Sequence, residues 1–134
     1  RPGQPCLLCH ADSGRAGHFT VAGSVFQTPD DARPLGGIAV RLIDASRREF
    51  VAYSNCAGNF FVYPQEYEPT LPLWVSLSGH GIAIDMESPM NKDGDCGTCH
   101  QGKKSPTSAG AVYLTDDPAR SAMIPIGACG GARP

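Results

Sequence analysis

The chain has 134 residues, a formal net charge of −2 with neutral histidines, and no apolar run as long as a membrane span. Its length fits a single domain, and the nearly balanced charge excludes the basic surface typical of nucleic-acid-binding proteins. The 16 glycines and 12 prolines favour a loop-rich all-β protein over long helices. Because the sequence begins with Arg1 and not with methionine, we expect it to follow a cleaved secretory peptide.

The first 18 residues lack a hydrophobic period and are predicted to form an irregular arm. They contain Cys6-Leu7-Leu8-Cys9-His10, here called the first motif. The second motif, Cys96-Gly97-Thr98-Cys99-His100, repeats the pattern near the other end. C-x-x-C-H is the attachment signature of c-type haem, in which both cysteines form thioethers and the histidine reaches the iron.

Chance predicts roughly 0.007 copies of this pattern in a chain of such composition, whereas two are present. The sequence therefore predicts two covalently bound haems. The predicted attachment residues are Cys6, Cys9, Cys96 and Cys99, and the predicted axial ligands from the motifs are His10 and His100.

Three other interpretations of the motifs remain open. A zinc site could use the four motif cysteines, because paired C-x-x-C knuckles are its usual form, but it leaves the following histidines unexplained. A thioredoxin-like redox pair requires a βαβ context, and no helical pattern surrounds either motif. Disulfides within each motif would be strained.

Between the motifs, short runs of alternating apolar and polar residues predict six strands. These are residues 19–26, 38–44, 49–53, 60–63, 73–77 and 82–86, with residues 111–114 as a candidate edge strand. Gly79-His80-Gly81 predicts a hairpin turn. The regular spacing indicates a small, mainly β, Greek-key sandwich over residues 19–86, followed by the second haem loop and a tail over 87–134. The predicted core is Val21, Val25, Val40, Leu42, Val51, Phe61, Val75 and Ile82, and Trp74 is also expected to be packed.

Three runs in this region, V-A-G-S-V-F, P-L-G-G-I-A-V-R-L-I-D and S-N-C-A-G-N-F-F-V, resemble the carboxypeptidase regulatory-like domain. The resemblance covers residues 19–86 and implies a prealbumin-like sandwich that serves as a scaffold without catalysis. The two C-x-x-C-H motifs that flank it are similar to those of small exported dihaem cytochromes of metal-reducing and related bacteria.

Two histidines, His18 and His80, remain after the motifs. Two haems need two further axial ligands, and histidine is the commonest side-chain ligand of metals. Glycine flanks both residues and allows close approach to a flat macrocycle. We therefore expect both to bind iron: His18 at the haem of His100, and His80 at the haem of His10, through a folded-back arm or from a neighbouring molecule. The alternative ligands are Met86, Met90 and Met123.

Two cysteines also remain, and Cys56 and Cys129 are predicted to form a disulfide because paired cysteines are usual in exported proteins. Residues 91–95 carry oxygen-bearing side chains at alternate positions, as a calcium loop does. They lack the glycine and closing glutamate of an EF-hand, so a polar turn before Cys96 is the preferred interpretation.

Together these features predict an electron carrier outside the cytoplasm, at the cell surface or extracellular, with the periplasm as an alternative. Its partners would be redox proteins or extracellular electron acceptors. Because the motifs lie far apart in the chain, the haems are expected at separate surface patches, with a homopolymer of stacked haems as one form of assembly. The alternatives are a haem enzyme with one open iron site, of peroxidase or nitrite-reductase type, and a surface binding module with haem tethers.

Overall fold

The computed structural model describes residues 3–11, 17–29 and 33–125. Its strands are β1 (Val21–Ser24), β2 (Ala39–Ile43), β3 (Glu49–Tyr53), β4 (Asn59–Val62), β5 (Trp74–Gly79) and β6 (Ile82–Asp85). Its helices in these ranges are a 3₁₀ helix (Cys6–Leu8), α1 (Cys96–Cys99) and α2 (Pro118–Ala122). The predicted mainly β fold with little helix is confirmed.

The strands form two antiparallel sheets. β1 and β4 make a two-stranded sheet in which Ala22 lies opposite Phe61. The larger sheet has the order β3-β2-β5-β6, and Leu42 of β2 lies opposite both Phe50 and Val75. The chain therefore leaves the larger sheet after β3, passes through the smaller sheet as β4, and returns through residues 64–72 to β5.

A single hydrophobic core joins the two sheets into a small β-sandwich. It forms because the inward positions of each strand are apolar, while alternate positions of β2 and β3 are polar or exposed. Five predicted core residues are buried and a sixth is partly buried against them: Val21, Val25, Val40, Leu42, Ile82 and Val75.

Three of the side chains predicted to be packed are exposed instead. Val51 is 37% exposed and Phe61 is 40% exposed, because their neighbours Ala52 and Phe60 occupy the inward positions of β3 and β4. Each of these strands has consecutive apolar residues, so alternation alone does not determine which of them faces inward. Trp74 is 45% exposed and lies on the outer face of the larger sheet.

Two segments that follow β6 in the chain pack beside β1. Ala22 forms a parallel bridge to Asp95, and its N–H donates to the carbonyl oxygen of Gly94 at 3.0 Å. Phe26, just after β1, forms a parallel bridge to Tyr113. In place of the predicted edge strand at residues 111–114, the structure has only this single bridge. The segment that leads into the second motif lies directly along β1.

The predicted hairpin at His80 joins β5 and β6 through a two-residue turn. Gly79 pairs with Ile82, so only His80 and Gly81 lie in the loop, and both have positive φ angles of 50° and 73°. These angles correspond to a type I′ turn, which matches the twist of antiparallel strands and usually contains Asn-Gly.

Within residues 3–11, 17–29 and 33–125, no helix has the length and apolar character that crossing a membrane requires.

Candidate haem-attachment sites

The first motif folds as one tight helical turn. The N–H groups of Cys9 and His10 both donate to the carbonyl oxygen of Cys6, at 3.2 and 3.1 Å. The imidazole Nδ1 of His10 lies 2.7 Å from the carbonyl oxygen of Gly17, and the carbonyl oxygen of His10 accepts from Phe19 N–H at 2.9 Å. Residues 17–19 thus fold back on the motif and fix its histidine ring.

The second motif has the same local structure. The N–H of His100 donates to the carbonyl oxygen of Cys96 at 2.9 Å, and His100 Nδ1 lies 2.8 Å from the carbonyl oxygen of Gly110. The N–H of Ala109 donates to the carbonyl oxygen of Cys99 at 2.9 Å, which places residues 109–110 against the motif.

Both motif histidines are therefore oriented in the same way. A backbone carbonyl can only accept a hydrogen bond, so Nδ1 of His10 and of His100 must carry the proton. The neutral ring then presents an unprotonated Nε2. Histidines that bind metals are usually held in this tautomer by a hydrogen bond from the other ring nitrogen. Each motif thus presents a ring nitrogen that could bind a metal ion such as haem iron.

A single buried carboxylate connects the two motifs. Asp95 is the N-cap of α1, and its Oδ1 accepts from Gly97 N–H at 3.0 Å and from Cys6 N–H at 3.3 Å. Its Oδ2 accepts from Leu7 N–H at 2.8 Å. Cys6 N and Gly97 N therefore lie at most 6.3 Å apart, because both bond to one oxygen. Asp93 Oδ1 in turn accepts from Asp95 N–H at 2.9 Å.

The backbones of the two motifs also pack without space for a side chain between them. A Cβ atom on Gly97 would lie 2.6 Å from the carbonyl oxygen of Gln4 and 2.9 Å from Cα of Pro5. The arm packs beside β1, where Gly3 N–H donates to Ser24 Oγ at 2.9 Å, and the segment before Cys96 lies along the same strand. The motifs, far apart in the chain, are therefore side by side in the fold, and the expectation that the haems lie at separate surface patches stays a prediction.

A cleft of about 570 Å³ lies beside the second motif, within the size range of cofactor-binding pockets. Core residues Phe60 and Leu77 form part of its lining, and its charged lining residues are Lys92, Lys104, Asp85, Glu87, Asp93 and Asp95. Its apolar walls suit a macrocycle, and the two lysines are the groups in the lining that could pair with haem propionates. The donor set and the lining of this site thus fit a haem attached through Cys96 and Cys99.

The first motif lies at the surface instead. Leu8 is 80% exposed, and the His10 ring stacks on Phe19 with ring centroids 4.2 Å apart. Phe19 in turn stacks on the exposed Phe61 at 4.7 Å, and Tyr63 packs edge-on against Phe61. These rings form an aromatic surface that continues from the histidine across β4.

The other candidate ligands lie in different places. His18 is half-buried in the segment that holds His10, whereas His80 is exposed at the β5–β6 turn. Neither is part of the cleft lining beside His100, which does include the partly buried Met86 and Met90. Met123 is exposed near the end of α2. The assignment of His18 and His80 to particular haems stays a prediction.

The competing interpretations of the cysteines can be compared with this geometry. All four motif cysteines are free thiols, and the described residues contain no group of three or more His, Cys, Asp or Glu placed to hold a metal ion. The capping role of Asp95 supports the polar-turn interpretation of residues 91–95. Cys56 is disulfide-bonded, but its predicted partner Cys129 lies outside the described residues.

The motif thiols differ in their environments, and this leads to a prediction for the haem-free chain. Burial, aided by the neighbouring Asp95 carboxylate, raises the pKa of Cys96 to about 12. At pH 8 its thiolate fraction is then about a thousandfold below that of an ordinary thiol. We expect Cys96 to react with iodoacetamide far more slowly than the exposed Cys9 and Cys99, as measured by peptide mass spectrometry. The difference should vanish in urea, and equal rates in the folded chain would contradict it.

The sequence pattern missed the role of Asp95. An aspartate before a short helical turn is a recognisable N-cap signal, so its bond to Gly97 could have been expected. Its bonds to Cys6 and Leu7, 89 and 88 residues away, leave no local signal.

Comparison of the chain with protein-family models, with curated proteins and with solved structures gives no match in any of the three. The geometry of the two motifs therefore carries the functional conclusion by itself.

Proposed function

We propose that this protein is a dihaem c-type cytochrome that transfers electrons outside the cytoplasm. The observation that carries the proposal is the repeated geometry of the motifs: in both, the histidine donates Nδ1–H to a glycine carbonyl and leaves Nε2 for iron. When bound, haem iron supplies a one-electron couple between its ferric and ferrous states.

The protein's own groups would perform four tasks. Cys6, Cys9, Cys96 and Cys99 supply the covalent attachment, and His10 and His100 supply one axial nitrogen each. The apolar walls of the cleft beside His100 would pack against one haem. Asp95 holds the motifs side by side, which favours electron exchange between the two centres within one chain.

Ligand supply favours electron transfer over catalysis. Each haem iron needs a second axial ligand besides its motif histidine, and the chain has two further histidines, His18 and His80, for these two positions. An iron with two side-chain ligands has no open position for a substrate. Bis-histidine ligation also gives lower potentials than histidine–methionine ligation, because methionine raises the potential. The disulfide at Cys56 is in keeping with an oxidising compartment, and the partners would be redox proteins or extracellular electron acceptors.

The proposal is tested on protein produced with haem-attachment machinery. We expect the intact mass to equal the chain plus two haems, and the oxidised absorption and EPR spectra to be low-spin. The double variants Cys6→Ser/Cys9→Ser and Cys96→Ser/Cys99→Ser should each retain one haem. A chain that retains no haem would refute the proposal, and a stable high-spin haem would favour the enzymatic alternative.

A further inference from the structure

Resting on the proposed haem function, we propose that His80 of one molecule is an axial ligand in a second copy of this chain. The site it completes is the haem attached at the first motif, opposite His10. The contact is therefore head-to-tail: a hairpin tip of one copy binds the arm surface of the next.

The first argument is the position of His80 relative to the cleft beside His100. Leu77 and Ile84, which pair with each other, are the residues nearest to the β5–β6 turn that line this cleft. The pair Gly79–Ile82 lies about 7 Å further along the hairpin, and His80 and Gly81 form the turn beyond it. Gly81 points into open space, with no atom within 4 Å of the position of a Cβ. The tip therefore extends away from the cleft and towards solvent.

The second argument is the shape and conformation of the tip. His80 has a φ of 50°, which the first loop position of a type I′ turn requires and which histidine, like asparagine and aspartate, adopts more readily than most residues. Its neighbours on the hairpin are small, namely Ser78, Gly79, Gly81 and Ala83. The imidazole is thus located at a narrow hairpin tip, whose small side chains allow it to approach a flat macrocycle without steric conflict.

The third argument is the surface around the first motif. The motif is not recessed: Leu8 is exposed, and the aromatic rings that continue from His10 include the exposed Phe61 and Tyr63. An exposed apolar surface of this kind marks a contact site. A haem on His10 would present its opposite side at the protein surface, where a residue from another molecule can reach the iron.

Stoichiometry identifies the partner as a second copy. Every chain carries one projecting histidine and one surface haem site, so copies in a row satisfy one another without an additional protein. The two surfaces differ, which makes the contact heterologous. Such contacts close into rings or extend into filaments.

The test compares His80→Asn with Ser46→Asn in the haem-loaded protein. Asparagine is favoured in type I′ turns, so the first variant keeps the hairpin and removes only the imidazole. We expect one of its two haems to become high-spin, its assemblies to dissociate on size exclusion, and added imidazole to restore the low-spin spectrum. Ser46 is exposed in the turn between β2 and β3, so Ser46→Asn should retain both the wild-type spectrum and the assembly state. In the wild type, dilution should produce the same high-spin signal.

Complementation distinguishes binding between molecules from binding within one. Cys6→Ser/Cys9→Ser lacks the first haem but retains His80, so mixing it with His80→Asn should return the high-spin haem to low-spin. If His80→Asn keeps two low-spin haems at every concentration, the inference is overturned. It is also overturned if His80→Asn loses the ligand while the wild-type spectrum does not change on dilution. The haem mass is measured first, so failure of the proposed function is recognised separately.

Discussion

Replacing Asp95 by alanine should lower the free energy of unfolding by about 3 kcal/mol and release the arm from the sandwich. The carboxylate accepts three backbone hydrogen bonds, from Cys6, Leu7 and Gly97, and is only 3% exposed. Alanine would leave these N–H groups without an acceptor beside a buried segment. Urea denaturation of the haem-loaded protein and limited proteolysis within residues 3–11 measure the two effects.

Two further variants distinguish the hydrogen bonds by which Asp95 joins the two motifs from its role as the N-cap of α1. Asp117 caps α2 in the same way, but its carboxylate accepts only from Ala119 N–H and α2 has no buried residue. Asp117→Ala should therefore cost about 1 kcal/mol and leave the arm in place. Asp95→Asn keeps a capping oxygen for α1 but presents an amide to Leu7 N–H, so it should loosen the arm more than it weakens the helical turn. Equal losses for Asp95→Ala and Asp117→Ala would contradict the bridging role.

The pH dependence provides a second check on Asp95. Burial raises the pKa of this carboxyl, against the opposing effect of its hydrogen bonds from Leu7, Gly97 and Cys6. The native state therefore binds the proton more readily than the unfolded chain does. The contribution of this group to stability falls as pH rises through the native pKa, and it is largest below the unfolded pKa. The unfolding free energy of Asp95→Asn should lack this component.

Replacing Gly97 by alanine should force the two motifs apart. The new Cβ would lie 2.6 Å from the carbonyl oxygen of Gln4 and 2.9 Å from Cα of Pro5, both backbone atoms that cannot rotate away. Overpacking of this kind costs about 2 kcal/mol. Because only the arm lies on the other side, we expect it to detach while the sandwich stays folded.

The readout for Gly97→Ala is the magnetic interaction between the two haem irons in EPR, together with proteolysis of the arm. The interaction should weaken and cleavage should become faster, with two haems still attached. Gly17→Ala is the matched control, since a Cβ there meets only the Tyr63 ring at an ordinary 4.0 Å. A wild-type EPR spectrum in Gly97→Ala would show that the motifs are not in contact.

Strand positions were largely predictable because alternation of apolar residues depends only on local geometry. The positions of β2 and β3 follow directly from it, as does the turn at His80, where Gly79 pairs with Ile82 and the two loop residues are His80 and Gly81. The inward face of β4 was not predictable. Phe60 and Phe61 are equally apolar, and the choice between them depends on how β1 and β4 pack against the larger sheet.

The sequence by itself determined the chemistry of the two motifs: their thiols, their histidines and their number follow from the C-x-x-C-H pattern. It also determined that two further histidines are available as ligands. Only the tertiary structure decided that motifs 90 residues apart lie side by side while His80 projects away from the cleft beside His100. The reason is that the shared hydrogen bonds of Asp95 join a side chain to backbone groups 88 and 89 residues away. Such bonds depend on the packing of the arm beside β1, which no local pattern encodes.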